Sequence, residues 1–270
     1  MIAALVGRNM RRMGKLLAVA VPALLLFEVG LVHIAAEFEA TQFAGGAGLE
    51  GLVDMLPGFM QDLVNSQVHE FSTEALVAVG FQHPVMLSLA ITLTVLFGVI
   101  PAGDRESGLL DVVLSTPVSR SAYLTGTVLC VAFVALLLPA AILAGGAIGL
   151  AMVDVPGSPS IATHVQTAVS MGALLLALGS LALLLSMDSQ RKGQALSRVA
   201  FLLLPLWAID FVSYLWDGFD AIRWLSPFAY FDAMPDPSPS SRVEYGAFVL
   251  LGAFVVTTLA AYRRFAKADL

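Results

Sequence analysis

Six apolar runs, each about as long as a bilayer's hydrocarbon core is thick, dominate this sequence: residues 16–35, 84–102, 122–150, 164–187, 199–216 and 243–262. An α-helix needs about 20 such residues to cross that core. The expected fold is therefore all-α, a polytopic membrane protein with six transmembrane helices in a single domain spanning residues 1–270. Composition agrees, since 58% of the positions are hydrophobic and 13% charged, against roughly 45–50% and 25% in soluble domains. The third run is long and holds Pro139, so a tilt, a kink or a short interfacial extension must absorb its excess. The fifth carries Pro205 and Asp210 and is the least apolar.

A net charge of −6 and a pI near 5.1 would suit an acidic soluble protein, but the placement of charge decides more than its sum. With the N-terminus inside, the cytoplasmic segments hold Arg8, Arg11, Arg12, Lys15, Arg105, Arg120, Arg191, Lys192, Arg198, Arg263, Arg264 and Lys267, which leaves only Arg223 and Arg242 outside. Basic residues concentrate on the cytoplasmic side, so both termini are expected there, in a multi-pass protein of the cell membrane. The charged start followed by a long apolar run reads as an uncleaved anchor, because the run is long enough to span. A single cysteine, Cys130, excludes an intramolecular disulfide and any Cys-based metal framework. The extracellular loop 36–83 is acidic, and Leu49, Leu52, Val53, Leu56, Met60 and Leu63 form an apolar stripe broken at Pro57-Gly58, which predicts two short interfacial helices. Residues 217–242 mix aromatics with Pro and Ser, as a partly re-entrant excursion would.

Residues 104–120, "DRESGLLDVVLSTPVSR", interrupt the oil with an amphipathic helix pattern. Asp104 can cap the helix, Glu106 lies in a first turn that favours negative charge, and Pro117 stops it near Thr116. Such a helix has about 11 residues and is about 16 Å long. Leu109, Val113 and Pro117, flanked by Leu110 and Leu114, share one side; Ser107, Asp111 and Ser115 share the other. Physics leaves two readings open: a connector whose apolar face rests on lipid, and a docking helix for a cytosolic partner.

The pattern Glu106-x-Gly108-x-Leu110-Asp111-x-x-Leu114-Ser115-x-Pro117-Val118-Ser119-Arg120, after the second of six spans, resembles the intracellular coupling segment of type-2 ABC transporter permeases, "E-x-G-T-L-x-L-L-L-S-x-P-V-S-R". Leu109 stands where that family commonly has Thr. The start "MIAALVGRNMRRMGKLL" is similar to the family's connecting helix (residues 1–15), "WLSPFAY" to its extracellular Leu-Ser-Pro element, and "RRFAKADL" to its usual ending. Within the family the sequence is most similar in flavour to permeases that assist copper-site maturation of nitrous oxide reductase. The resemblance implies that residues 103–121 form a coupling helix seated in a groove of a cytosolic ATPase subunit, with Glu106 the charged contact, Gly108 the close-approach point, and Leu110 and Leu114 the apolar anchors; Asp111, Pro117 and Arg120 complete the motif. It also implies a second permease copy, ATP and Mg bound on the partner subunit, and substrate moved mostly outward.

This chain carries no G-x-x-x-x-G-K-[ST] loop for nucleotide, since Gly14-Lys15 is followed by Leu16. None of His33, His69, His83 and His164 makes an H-E-x-x-H pair, and Ser180 lacks a partnering base nearby in sequence, so no catalytic residue is expected. The histidines and methionines toward the outer side (Met55, Met60, Met86, Met152) are too scattered for a metal site. Two acids lie within spans, Glu28 and Asp210, at similar depth, about 16–18 Å from the cytoplasmic end of the span. Charge at that depth is costly, so each should be protonated, paired or facing water, and each is a candidate pathway residue. Gly145 and Gly149 form a GxxxG pair that permits close packing and hints at a dimer contact. The expected function is the membrane-spanning subunit of an ABC exporter; alternatives are an ATP-independent channel or secondary carrier using Glu28 and Asp210, and a scaffold without transport. Lipid is an expected partner and nucleic acid is not.

Overall fold

The structure, a computed structural model, describes residues 1–45, 80–153, 161–216, 218, 220–231 and 242–267. The expected interfacial helices within 49–63 lie outside the described residues. Among those described, every regular element is helical: α1 (Ile2–Gly45), α2 (Pro84–Gly98), α3 (Ile100–Glu106), α4 (Leu109–Leu114), α5 (Arg120–Met152), α6 (Ile161–Met187), α7 (Lys192–Leu215), α8 (Asp220–Arg223), a 3-10 turn (Pro227–Tyr230) and α9 (Arg242–Lys267). Five are long and apolar enough to cross a membrane, and six if α2 and α3 count as one bent span.

Two departures from the sequence reading concern the first half. The basic segment 1–15 and the first apolar run are not separate elements: α1 is one unbroken helix of 44 residues, or about 66 Å. Arg8, Arg11, Arg12 and Lys15 leave the i→i−4 ladder intact, so a change in polarity is not a break in backbone. The expected second span, by contrast, is bent by 50° at Val99. Pro101 explains the position, because it has no N–H to donate and suits only the first turn of a new helix. Pro139 lies within α5 without interrupting it. That helix has 33 residues, about 50 Å, and so overhangs a hydrocarbon core of about 30 Å.

The core forms around α6, whose most apolar stretch is 72% buried, against 17% for α7 and α9. It contacts α2, α5, α7 and α9. Small residues make this possible. A Cβ on Gly98 of α2 would stand 2.5 Å from the carbonyl oxygen of Gly179, and one on Gly179 would stand 2.5 Å from the Val131 Cγ1. Where lipid removes the hydrophobic drive for helix association, such close backbone approach supplies the packing energy.

Helix α1 lies along α5 in the same direction. Gly126 meets Leu5, Gly145 meets Leu25 and Glu28, and Gly149 meets Val32. The GxxxG pair read from the sequence as a hint of a dimer contact is therefore occupied within the chain: a Cβ on Gly145 would be 2.5 Å from the Leu25 carbonyl oxygen, and one on Gly149 would be 2.7 Å from the Val32 Cβ.

Candidate functional site

One end of the bundle gathers the basic residues and carries α4. The polypeptide leaves α3 at Glu106, reverses through Ser107 and Gly108, and enters α4 at Leu109. Gly108 has φ of +69°, the left-handed region that costs an L-residue with a side chain roughly 1–2 kcal/mol. No atom lies within 4 Å of where its Cβ would be, so backbone conformation and not crowding explains the glycine. The continuous helix expected from Asp104 to Thr116 is thus divided, with α4 only six residues long.

Sequence reasoning made Asp104 a cap. It is instead the buried anchor of α1. Its carboxylate, 0% exposed, accepts from Arg8 Nη2 at 2.7 Å and Arg12 Nη1 at 2.7 Å. The Tyr123 hydroxyl donates to the same carboxylate at 2.8 Å, and the Arg8 guanidinium lies 5.9 Å from the Tyr123 ring centroid. Two cations and a phenol thus compensate one buried charge, the condition under which such a charge is tolerated. Arg8 and Arg12, one helical turn apart, share a face that calls for an acid, but spacing alone does not say which one meets them.

The next two residues tie to other helices. Arg105 Nη1 donates to the carbonyls of Ser186 at 3.3 Å and Ser189 at 2.6 Å, at and just beyond the C-terminal end of α6. Glu106 Oε2 accepts from the backbone N–H of Lys192 at 2.9 Å, at the first residue of α7. A cation at a helix C-terminus and an anion at an N-terminus satisfy unpaired backbone groups and complement the helix dipole. Beyond α4, Arg120 Nη1 donates to the carbonyls of Phe265 and Ala266 at 3.3 Å each, near the end of α9. Arg264 of α9 pairs with Asp188, just past α6. The residues flanking α4 are thereby bonded to α1, α6, α7 and α9.

Residues of the expected coupling motif divide between two faces. Leu110 is fully buried among Leu5, Tyr123, Leu124, Leu183, Met187 and Phe265, with Leu114 packed against the same cluster. These leucines anchor α4 to its own chain, and Leu110 offers nothing at the surface. Glu106 is exposed but committed to Lys192, so the outward face consists of Asp111, Val112, Ser115, Thr116 and Pro117, with Val112 61% exposed.

The two intramembrane acids have different neighbours. Asp210 on α7 pairs with Arg223 of α8, Oδ1 to Nε at 3.1 Å, which ties the excursion after α7 back to that helix. Glu28 is buried on α1, and among the described residues neither of its oxygens has a hydrogen-bond partner. A small cavity lined by Phe81, Ile142, Gly146, Leu150 and His164 is close by along the chain.

No family model and no curated protein matches this chain. The resemblance of residues 104–120 to permease coupling segments therefore rests on those residues and their setting.

Proposed function

We propose that this chain is the membrane-spanning subunit of an ABC transporter, with both termini cytoplasmic and α4 docked on a separate ATPase subunit. The observation that carries the reading is mechanical. A short helix with one exposed face is flanked by four closely placed residues (Asp104, Arg105, Glu106, Arg120), each bonded to a different helix of the bundle. Displacing that helix would load α1, α6, α7 and α9 together, as conversion of a cytosolic nucleotide cycle into rearrangement of membrane helices requires. An isolated connector resting on lipid has no need of such bracing. ATP and Mg belong to the partner, since no phosphate-binding loop occurs in this sequence. A second copy of the permease would complete the pathway, and substrate would move outward.

Co-purification in mild detergent tests the proposal. A P-loop ATPase should accompany the wild type and be lost from Val112→Arg, whose exposed position leaves the fold unchanged. Glu106→Arg is the poorer probe because it also breaks the bond to Lys192. The reading fails if no ATPase accompanies the wild type, or if Val112→Arg retains it. Flux in liposomes without ATP would favour instead a secondary carrier, for which the unpartnered Glu28 is the supporting observation.

A further inference from the structure

Glu28 stands out for what it lacks. Its side chain is wholly buried in the middle of a membrane-length helix, and among the described residues neither carboxyl oxygen has a hydrogen-bond partner and no cation pairs with it. The site is closed by glycines. A methyl group at Gly80, just before α2, would run into the carboxyl group, and a Cβ on Gly145 of α5 would stand 2.8 Å from the Glu28 Cβ. A side chain added at either glycine would therefore displace the acid. Three segments leave room for one carboxyl group and little else.

That geometry limits what can bind. An organic cation does not fit between the glycines, and the nearby cavity, about 10 Å³, holds at most a single water. A metal ion needs several donors, and among the described residues no three His, Cys, Asp or Glu side chains are grouped to supply them. The remaining ligand that matches one carboxyl group in apolar surroundings is a proton.

We propose that Glu28 is a proton-binding site whose occupancy is tied to the packing of α1 against α5. The neutral acid is compatible with the closed contact at Gly145. The carboxylate is not, because a charge there must recover water, and water reaches it only when α1 lifts from α5. The sign follows: protonation favours the packed arrangement, so rising pH favours separation and falling pH favours closure. Among the described residues, the other titratable groups near this contact are histidines. His33 lies further along α1, with Nδ1 2.9 Å from the Val29 carbonyl oxygen; His83 precedes α2, its ring 4.9 Å from Phe27; and His164 of α6 lines the cavity. Helix α5 carries Arg120, Tyr123 and Cys130 toward its other end, and no titratable side chain from Val131 to Met152, the stretch that includes Gly145. The site does not depend on the ATPase reading and holds whatever drives the motion.

Pulsed electron resonance on the full chain in lipid vesicles tests it, with spin labels at Leu26→Cys and Ile148→Cys, both exposed positions, in a Cys130→Ala background. The interlabel distance should lengthen as pH rises, and this response should vanish in Glu28→Gln, which keeps every histidine. A pH-independent distance in the parent, or an unchanged response in Glu28→Gln, overturns the proposal. Should Glu28→Gln not fold, infrared spectroscopy of the parent serves instead: the carbonyl stretch of a neutral, apolar carboxylic acid should be present at the pH where the labels lie close and be lost at the pH where they lie apart. Absence of that band in the packed state overturns the proposal equally.

Discussion

Asp104 and Gly108, four residues apart, differ in what holds them: one is gripped by three side chains, while the other faces open space where a side chain would be. Replacing Asp104 by Asn removes the charge that compensates Arg8 and Arg12. Breaking a fully buried pair costs about 3–5 kcal/mol; the two arginines here are 26% and 45% exposed and can partly rehydrate, which reduces the loss to about 1–3 kcal/mol. A lower melting temperature in detergent, with α1 becoming accessible to protease near Arg12, is the expected outcome. Gly108→Ala forces a side chain into the left-handed region at a cost of about 1–2 kcal/mol, whereas Gly108→Asn should cost less because Asn tolerates that conformation. Equal melting temperatures for the Ala and Asn variants would refute the backbone explanation. Asp104 was visible in the sequence as a polar residue in an apolar setting, yet its partner was not, because a carboxylate before a helical pattern serves equally as a cap or as half of an ion pair.

Among the elements, the membrane-length helices were legible because hydropathy over about 20 residues reports a bilayer's thickness directly. Their ends were less so. The polar turn of Arg8 to Lys15 imitates a boundary that α1 does not have, while the real break at Val99 falls inside an apolar run and is announced only by Pro101. Small residues posed a similar difficulty. Gly145 and Gly149 declare that some helix approaches closely, and only the fold identifies α1 as that helix. The crossing of α2 over α6 allows a sharper test. Val at position 179 must displace Val131 or Thr94, both within 3 Å of the new Cβ. Overpacking of this kind costs about 1–3 kcal/mol. Gly179→Val should therefore give less monodisperse protein on size-exclusion chromatography, whereas Gly193→Ala, where no atom lies within 4 Å of the new Cβ, should behave as wild type.

At the scale of the whole molecule, the twelve basic residues assigned by sequence to the cytoplasm include those that meet at one end of the bundle, where Arg8, Arg12, Arg105, Arg120 and Arg264 bond to neighbouring helices. If that end faces the cytoplasm, Ser107→Cys and Ser115→Cys, both exposed, should react with a membrane-impermeant maleimide in inside-out vesicles and stay unlabelled in intact cells. The buried native Cys130 should contribute little background. Labelling from outside the cell would invert the orientation and remove the basis for a cytosolic partner. The unbroken length of α1 has a consequence of its own. Arg12, gripped by Asp104, and Glu28, pressed against α5, are 16 positions apart on one rod, about 24 Å. A continuous helix pinned near one end turns a small tilt there into a larger swing toward the other, and Pro22, which removes one backbone bond between the two points, is where it can flex; this helix can act as the oar of the molecule, its grip on the basic side and its blade at the acid.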